Sequence, residues 1–157
     1  GQTISQPWVH AKYLELLGLK GGERVLEIGT GSGFQTALLV KLGATVFSIE
    51  RVAALAESAR EALRRCGIDH VIQKVGDGTL GWPEHGPFDA ILVGAASPDV
   101  PQPLLDQLAD GGQLLIPVGG RDTQQLIRLR KTANGITREP LEAMRFVPLI
   151  GQHGFEN

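Results

Sequence analysis

Short apolar runs alternate along this chain with longer segments of helical periodicity, and this alternation most limits what the chain can fold into. The apolar runs lie at residues 24–28, 44–49, 70–75, 88–93 and 113–118. Several are apolar almost throughout, as strands covered by helices on both faces are. The intervening patterns predict helices at residues 34–42, 52–65 and 101–108, after a first helix that begins near Ser5. Repeated strand–helix–strand units imply right-handed crossovers, so we predict a doubly wound α/β domain with a parallel sheet.

The last part of the chain has a different pattern. Residues 124–131 are a strand candidate, and Asn134-Gly135 follows as a sequence typical of a hairpin turn. A second run from Ile136 to about Leu149 is then expected to return antiparallel to the first. The sheet should therefore be mostly parallel and end in an antiparallel hairpin.

Length, composition and charge narrow the class of protein. The 157 residues suit one domain, and 42% hydrophobic with 20% charged residues indicates a packed core. A net charge of −2 gives no sign of a nucleic-acid partner. A single cysteine, Cys66, excludes a disulfide framework and a cysteine-based zinc site. No run approaches the about 18 apolar residues that cross a bilayer. We expect one cytoplasmic domain over residues 1–157, monomeric, without a metal or a membrane partner.

Three glycines between the first strand and the next helix are the strongest sign of a ligand site. They lie in Glu27-Ile-Gly-Thr-Gly-Ser-Gly33, where glycine allows a tight turn and lets a ligand approach the backbone. The third glycine of the dinucleotide pattern G-x-G-x-x-G is absent, and so is the Gly-Lys of a phosphate-binding P-loop. The nucleophile elbow G-x-S-x-G also fails, because Thr30 stands where its first glycine should be.

Three acidic residues follow or end successive predicted strands around this loop. Glu27 precedes the glycines, Glu50 follows the second strand, and Asp77 follows the third in Gly76-Asp77-Gly78. Parallel strands present their carboxyl ends at one edge of the sheet, so we expect these acids to share one rim. An acid at the position of Glu50 suits ribose hydroxyls, and Glu27 suits a ligand that carries positive charge rather than a diphosphate. Together they point to S-adenosylmethionine.

The sequence as a whole resembles the protein-L-isoaspartate (D-aspartate) O-methyltransferase family. The resemblance lies in the following stretches, in the family's order: Gly1-Gln-Thr-Ile-Ser-Gln-Pro7, Val25-Leu-Glu-Ile-Gly-Thr-Gly-Ser-Gly33, Ser48-Ile-Glu-Arg51, Gly76-Asp-Gly78, Phe88-Asp-Ala-Ile-Leu-Val-Gly-Ala-Ala96, Leu105-Asp-Gln-Leu-Ala-Asp-Gly-Gly112, Ile116-Pro-Val-Gly119 and Arg145-Phe-Val-Pro-Leu149. Many methyltransferases share the glycine loop, whereas Thr-Ile-Ser-Gln-Pro is far more specific. The resemblance implies a Rossmann-like, seven-stranded class I methyltransferase domain.

The resemblance also implies a reaction. A methyl group of S-adenosylmethionine passes to the free α-carboxylate of L-isoaspartyl residues in damaged proteins, leaving S-adenosylhomocysteine. The ester then cyclises to a succinimide without the enzyme, which gives the chain another chance to reopen as normal aspartate. The carboxylate is ionised at pH 7 and needs no general base.

The resemblance assigns roles to individual residues. The cofactor-binding residues it implies are Glu27, Gly29, Thr30, Gly31, Ser32, Gly33, Glu50, Arg51, Asp77 and Gly78. Those implied for the acceptor pocket are Thr3, Ile4, Ser5 and His10, with Ser5 as the catalytic residue. The family has a further segment before Gly-Gln-Thr-Ile-Ser, so we expect this sequence to lack that segment.

Three other functions are compatible with the residues alone. The first is a methyltransferase with a different acceptor, and the second is a non-catalytic domain or fragment that binds S-adenosylmethionine. The third and most remote is a nicotinamide oxidoreductase. A screen of acceptors distinguishes the first from the isoaspartyl enzyme, and cofactor binding without turnover identifies the second.

Overall fold

The computed structural model describes residues 6–157, and within them helices and strands alternate as predicted. The helices are α1 (Pro7–Leu17), α2 (Phe34–Lys41), α3 (Ala53–Arg65) and α4 (Gln102–Asp106). The strands are β1 (Arg24–Ile28), β2 (Thr45–Glu50), β3 (Ile72–Val75), β4 (Phe88–Val93), β5 (Leu108–Gly119), β6 (Gln124–Thr132) and β7 (Gly135–Met144). Two short 3₁₀ turns lie at Gly78–Leu80 and Pro83–His85. Within the described residues, no helix is both long and apolar enough to cross a membrane.

One seven-stranded sheet runs through the domain in the order β3-β2-β1-β4-β5-β6-β7. Strands β1 to β5 pair in parallel, whereas β6 pairs antiparallel with β5 and β7 antiparallel with β6. The predicted parallel sheet and its closing hairpin are therefore confirmed. Strand order reverses between β1 and β4, and a crevice for ligands opens at the carboxyl ends of the strands at such a point.

The central strands are buried on both faces, which explains their continuous apolar sequence. In β1, neighbouring Val25 and Leu26 point to opposite faces, and neither has any exposed surface. Tyr13 and Leu17 of α1 belong to the core on the side of Val25, while Leu104 of α4 belongs to the core on the side of Leu26. The sheet is thus sandwiched between two apolar layers, and its rim is left for polar groups.

Predicted boundaries are wrong in two regions, and in the first of them the strand predicted for residues 113–118 already begins at Leu108. The helix predicted for residues 101–108 ends at Asp106, because Leu108 already pairs with Phe88 of β4 as the first residue of β5. The register of β5 then shifts at the turn that contains Gly111, whose φ of 78° favours glycine.

The strand predicted to reach Leu149 ends at Met144. The next residues, 145–150, are called the wall segment below. They leave the hairpin and run beside the end of β4, where the Ala96 N–H donates to Val147 O at 2.8 Å and the Leu149 N–H donates to Ala96 O at 2.7 Å. This crossing brings the end of the chain to the rim of the sheet.

Candidate active site

A cavity of about 1060 Å³ opens at the carboxyl ends of β1, β2 and β4. Helix α1 and the wall segment form its other sides, together with the first turn of α2. The cavity therefore occupies the crevice where the strand order reverses. Its volume is slightly above the range typical of small-molecule sites, about 300–1000 Å³.

The glycine loop forms the floor of the cavity and leaves space above its backbone. Gly29, Gly31 and Gly33 all have positive φ, at 93°, 54° and 83°. A Cβ built on Gly29 or Gly31 would meet no atom within 4 Å. The loop is fixed from below, because the Gly29 N–H donates to Ile49 O at 2.8 Å. The predicted close approach of a ligand to this backbone is sterically open.

Glu27 is a buried carboxylate at the cavity wall, only 1% exposed. Its Oε1 accepts hydrogen bonds from Thr36 Oγ1 at 2.5 Å and Ser48 Oγ at 2.6 Å. Because Ser48 donates its one hydroxyl proton to Glu27, Thr30 Oγ1 is the donor in the 2.5 Å hydrogen bond between Thr30 and Ser48. Glu27 Oε2 has no partner among the described residues.

Burial raises the pKa of Glu27 from 4.5 to about 7, against the hydrogen bonds from Ser48 and Thr36, and the negative charge of Glu50 adds to the rise. A buried carboxylate with an unpartnered oxygen is costly unless a cation or donor reaches it. Two side chains of the protein donate hydrogen bonds to Oε1, whereas Oε2 is left for a donor from a ligand. This arrangement fits the positively charged amino-acid part of S-adenosylmethionine.

Glu50 ends β2 and is tied to the loop. Its Oε2 accepts from the Gly31 N–H and its Oε1 from the Val52 N–H, both at 3.0 Å. Each carboxylate oxygen can accept a further bond, so the side chain remains able to accept from two neighbouring hydroxyls, as a ribose requires. Only 7% of Glu50 is exposed, and it lines the cavity.

The remaining cofactor residues predicted from the resemblance divide into two groups. Thr30, Ser32, Arg51 and Gly78 line the cavity with Glu27, Gly29, Gly31 and Glu50, whereas Gly33 and Asp77 do not. A Cβ on Gly78 would lie 2.3 Å from Cγ2 of buried Ile28, so only glycine fits this approach to β1.

Asp77 does not belong to the cavity lining, and its carboxylate serves neighbouring backbone instead. Its Oδ1 accepts from the N–H and hydroxyl of Thr79, and its Oδ2 from the Gln152 N–H. Although partial burial acts to raise it, these bonds and the nearby His153 bring the pKa of Asp77 below its ordinary value. Asp77 thus fixes the chain end beside Gly78, whose backbone faces the cavity.

His10 of α1 lines the cavity, as expected for the acceptor pocket. Its Nδ1 is hydrogen-bonded to Gln35 Oε1 in the first turn of α2, and its ring meets Phe34 edge to face, with centroids 5.1 Å apart. Thr3, Ile4 and Ser5 lie outside the described residues.

Gln35 and the wall segment line the cavity without having been predicted as site residues. The signal for Gln35 was an amide in the first turn of an apolar helix, directly after the glycine loop. Only the family resemblance marks the wall segment in the sequence, because nothing local indicates where a strand will leave its sheet. The start of the wall segment is held by buried Gln124, whose Oε1 accepts a hydrogen bond from the Phe146 N–H at 2.9 Å.

No group of three or more His, Cys, Asp or Glu side chains is arranged to hold a metal ion within residues 6–157. The polar groups of the cavity are instead carboxylates, amides, hydroxyls and single cations on separate elements.

Comparison with known proteins agrees with this geometry. The family model described as protein-L-isoaspartate(D-aspartate) O-methyltransferase matches residues 1–154. A protein-L-isoaspartate O-methyltransferase of Dictyoglomus thermophilum is 52% identical over 157 residues, which cover all of this chain and 71% of that protein.

Two solved structures are also similar. A protein-L-isoaspartate O-methyltransferase superposes with a TM-score of 0.89 and 33% identity over 98% of this chain, and the match covers 50% of that chain. A beta-aspartate methyltransferase of Plasmodium falciparum, in complex with S-adenosyl-L-homocysteine, superposes with a TM-score of 0.83 and 33% identity, covering 96% of this chain and 77% of its own. The predicted class I methyltransferase fold is confirmed, and the chain belongs to the protein-L-isoaspartate(D-aspartate) O-methyltransferase family.

Proposed function

We propose that the cavity at the ends of β1, β2 and β4 is where this chain, an S-adenosylmethionine-dependent protein-L-isoaspartate O-methyltransferase, carries out its reaction. The reaction is that of its family: methylation of the free α-carboxylate of L-isoaspartyl residues in damaged proteins. The observation that carries the proposal is Glu27, a buried carboxylate with an unpartnered oxygen beside an open glycine loop.

The cofactor end of the cavity is proposed to be formed by Glu27, the loop from Gly29 to Gly33, and Glu50. S-adenosylmethionine, when bound, supplies a methyl group on a positively charged sulfonium. Glu27 Oε2 accepts from the cationic amino-acid part, because this oxygen has no other partner among the described residues. Glu50 accepts from ribose hydroxyls with the lone pairs that Gly31 and Val52 leave free. The Gly78 backbone and Arg51 complete this end, and Asp77 supports it by holding the loop.

The acceptor end is proposed to be formed by His10 together with Thr3, Ile4 and Ser5. A carboxylate is already ionised at neutral pH, so the protein has to orient it and exclude water rather than remove a proton. The Ser5 hydroxyl donates one hydrogen bond to that carboxylate and holds it in place. This role follows from the family resemblance, since Ser5 lies outside the described residues.

Methyl transfer to a matched pair of peptides tests the proposed function. The two peptides are identical except that one contains L-isoaspartate and the other L-aspartate, and the methyl group of S-adenosylmethionine is radiolabelled. Label is expected only in the isoaspartyl peptide and is expected to leave as methanol in mild base, because a methyl ester hydrolyses there. Equal label in both peptides, or none in either while S-adenosylhomocysteine still binds, would refute the proposed acceptor.

We also propose that the chain acts as a monomer in the cytoplasm. The single cysteine, Cys66, is unpaired and exposed, which suits a reducing compartment. Sedimentation at micromolar concentration tests the monomer.

A further inference from the structure

We propose that Gln35 is a residue of the acceptor pocket, where its side-chain amide donates a hydrogen bond to the carboxylate that is methylated. This assignment rests on the proposed function. The carboxylate chemistry also exists in the amino-acid part of S-adenosylmethionine, and the experiment below distinguishes the two.

The first observation is a buried amide with half of its hydrogen-bonding capacity unused. Gln35 is only 8% exposed and lines the cavity. Its Nε2 makes no hydrogen bond with any described residue. A buried N–H group without a partner carries a desolvation cost, so native proteins rarely retain one that no ligand or water satisfies.

The second observation is the bond that fixes which way this amide faces. Gln35 Oε1 accepts from His10 Nδ1, so the amide is tied to α1 rather than to the glycine loop. His10 Nε2 is likewise buried and without a partner among the described residues. With Nδ1 holding its proton for Gln35, the orientation of the imidazole is set, and its Nε2 carries a lone pair and accepts. Of this pair of side chains, the Gln35 N–H₂ thus remains as the donor to a ligand.

The chemistry of that ligand group follows from the charges around it. A primary amide N–H₂ only donates, so its partner must accept. The two buried carboxylates of the cavity, Glu27 and Glu50, are bound from α2, β2 and the glycine loop and would repel a second carboxylate brought close to them. At Gln35, by contrast, an anion entering the cavity would meet a buried, unpartnered N–H₂ group. The acceptor carboxylate is the anionic group of the substrate that must enter the cavity.

The test compares three variants by methylation kinetics of the isoaspartyl peptide and by calorimetry with S-adenosylhomocysteine. Gln35→Met keeps the length and burial of the side chain but removes both polar atoms. Gln35→Glu keeps an oxygen for His10 and replaces the donor by a second oxygen. Gln125→Met is the matched control, since Gln125 is exposed on β6 and does not line the cavity.

The expected result is a rise in the peptide KM of about tenfold or more in Gln35→Met, as for a lost hydrogen bond to a charged group. Gln35→Glu should raise the KM further, because it retains the contact with His10 but repels the substrate. Both variants should keep the affinity for S-adenosylhomocysteine, and Gln125→Met should match the wild type throughout.

Three outcomes would overturn the assignment. An unchanged peptide KM in Gln35→Met would remove Gln35 from the pocket. A wild-type KM in Gln35→Glu with a raised KM in Gln35→Met would mean that Gln35 only supports His10. Weaker binding of S-adenosylhomocysteine with an unchanged peptide KM would assign the amide to the cofactor. Absence of labelling by the wild-type chain would instead refute the proposed function, and the assignment with it.

Discussion

Replacing Glu27 by Gln should change how the stability of this protein depends on pH. Thr36 and Ser48 both donate to Oε1, and a glutamine can offer its carbonyl oxygen to the same two hydroxyls. The substitution therefore keeps the shape and the donor contacts of the site while removing one titratable group. Any pH-dependent difference between the two proteins then reports on the carboxyl group of Glu27.

The size and sign of this difference follow from the raised pKa. Glu27 titrates at about 7 in the folded chain and near 4.5 in the unfolded chain. Between these values the folded state holds a proton that the unfolded state has released, so the free energy of unfolding falls as pH rises. At about 1.4 kcal/mol per pH unit, the loss amounts to about 3 kcal/mol. It is complete once the pH passes about 7, and above that the difference is constant.

Urea denaturation of both proteins from pH 4.5 to 8.5 measures this quantity. The unfolding free energy of the wild type minus that of Glu27→Gln should decrease by about 3 kcal/mol across the range and then level off. Glu23→Gln is a control whose difference from the wild type should stay level over this range. Although slight burial acts against it, the N–H groups of Lys20 and Gly21 hold the pKa of Glu23 below its ordinary value. Its contribution is present above pH 4.5 and lost in acid.

A difference that stays level from pH 5 to 8, or that increases with pH, would refute the account of Glu27 as a desolvated carboxyl. Ligand binding provides a second readout. If Glu27 pairs with the cationic end of the ligand, S-adenosylhomocysteine should bind the wild type more tightly as pH rises towards 7, by up to about tenfold per pH unit. The affinity of Glu27→Gln should lack this dependence.

Three further substitutions test other parts of the site. Glu50→Gln should weaken S-adenosylhomocysteine binding by about tenfold or more in calorimetry, because an amide cannot accept from both Gly31 and Val52 and still serve a ribose. Gly78→Ala should lower the unfolding free energy by about 1–3 kcal/mol in urea, since its Cβ would lie 2.3 Å from a methyl group of Ile28; a wild-type midpoint would show that the loop moves freely. Ser5→Ala should keep the affinity for S-adenosylhomocysteine and reduce turnover of the isoaspartyl peptide, and equal turnover would remove Ser5 from the catalytic role.

The parts of the fold that sequence could predict are those set by local pattern. Runs such as residues 88–93 are apolar on both faces, and Asn134-Gly135 marks the hairpin turn, so the parallel sheet and its antiparallel end were correctly predicted. The errors lie where partners distant in sequence decide. Leu108 joins β5 because Phe88 is available to pair with it, and residues 145–150 leave the hairpin to bond with Ala96.

The residues of the candidate site also fall into those that local sequence identifies and those that depend on distant partners. The glycine loop, Glu27 and Glu50 were identifiable because each occupies a fixed position relative to a strand end. Gln35 was not, because its significance depends on His10, which is 25 residues away and reaches it from another helix. Asp77 has the expected position after β3, yet its oxygens are occupied by Thr79 and Gln152, a contact with the end of the chain that strand order does not reveal.

The distribution of charge over the cavity matches the proposed reaction. Glu27 and Glu50 lie on β1 and β2, whereas the N–H₂ of Gln35 lies at the start of α2, beside His10 of α1. A positively charged methyl donor and a negatively charged acceptor are drawn to different groups of such a cavity, so the protein contributes by placing the two reactants. Because the sulfonium and carboxylate charges cancel when the methyl group is transferred, the esterified acceptor should bind Gln35 less tightly than the carboxylate does. Comparing S-adenosylmethionine with S-adenosylhomocysteine in Glu27→Gln tests which positive charge Glu27 recognises, because the product keeps the ammonium and loses only the sulfonium charge. Both ligands should lose affinity equally in that variant, and a loss confined to S-adenosylmethionine would show that Glu27 pairs with the sulfonium instead of the ammonium.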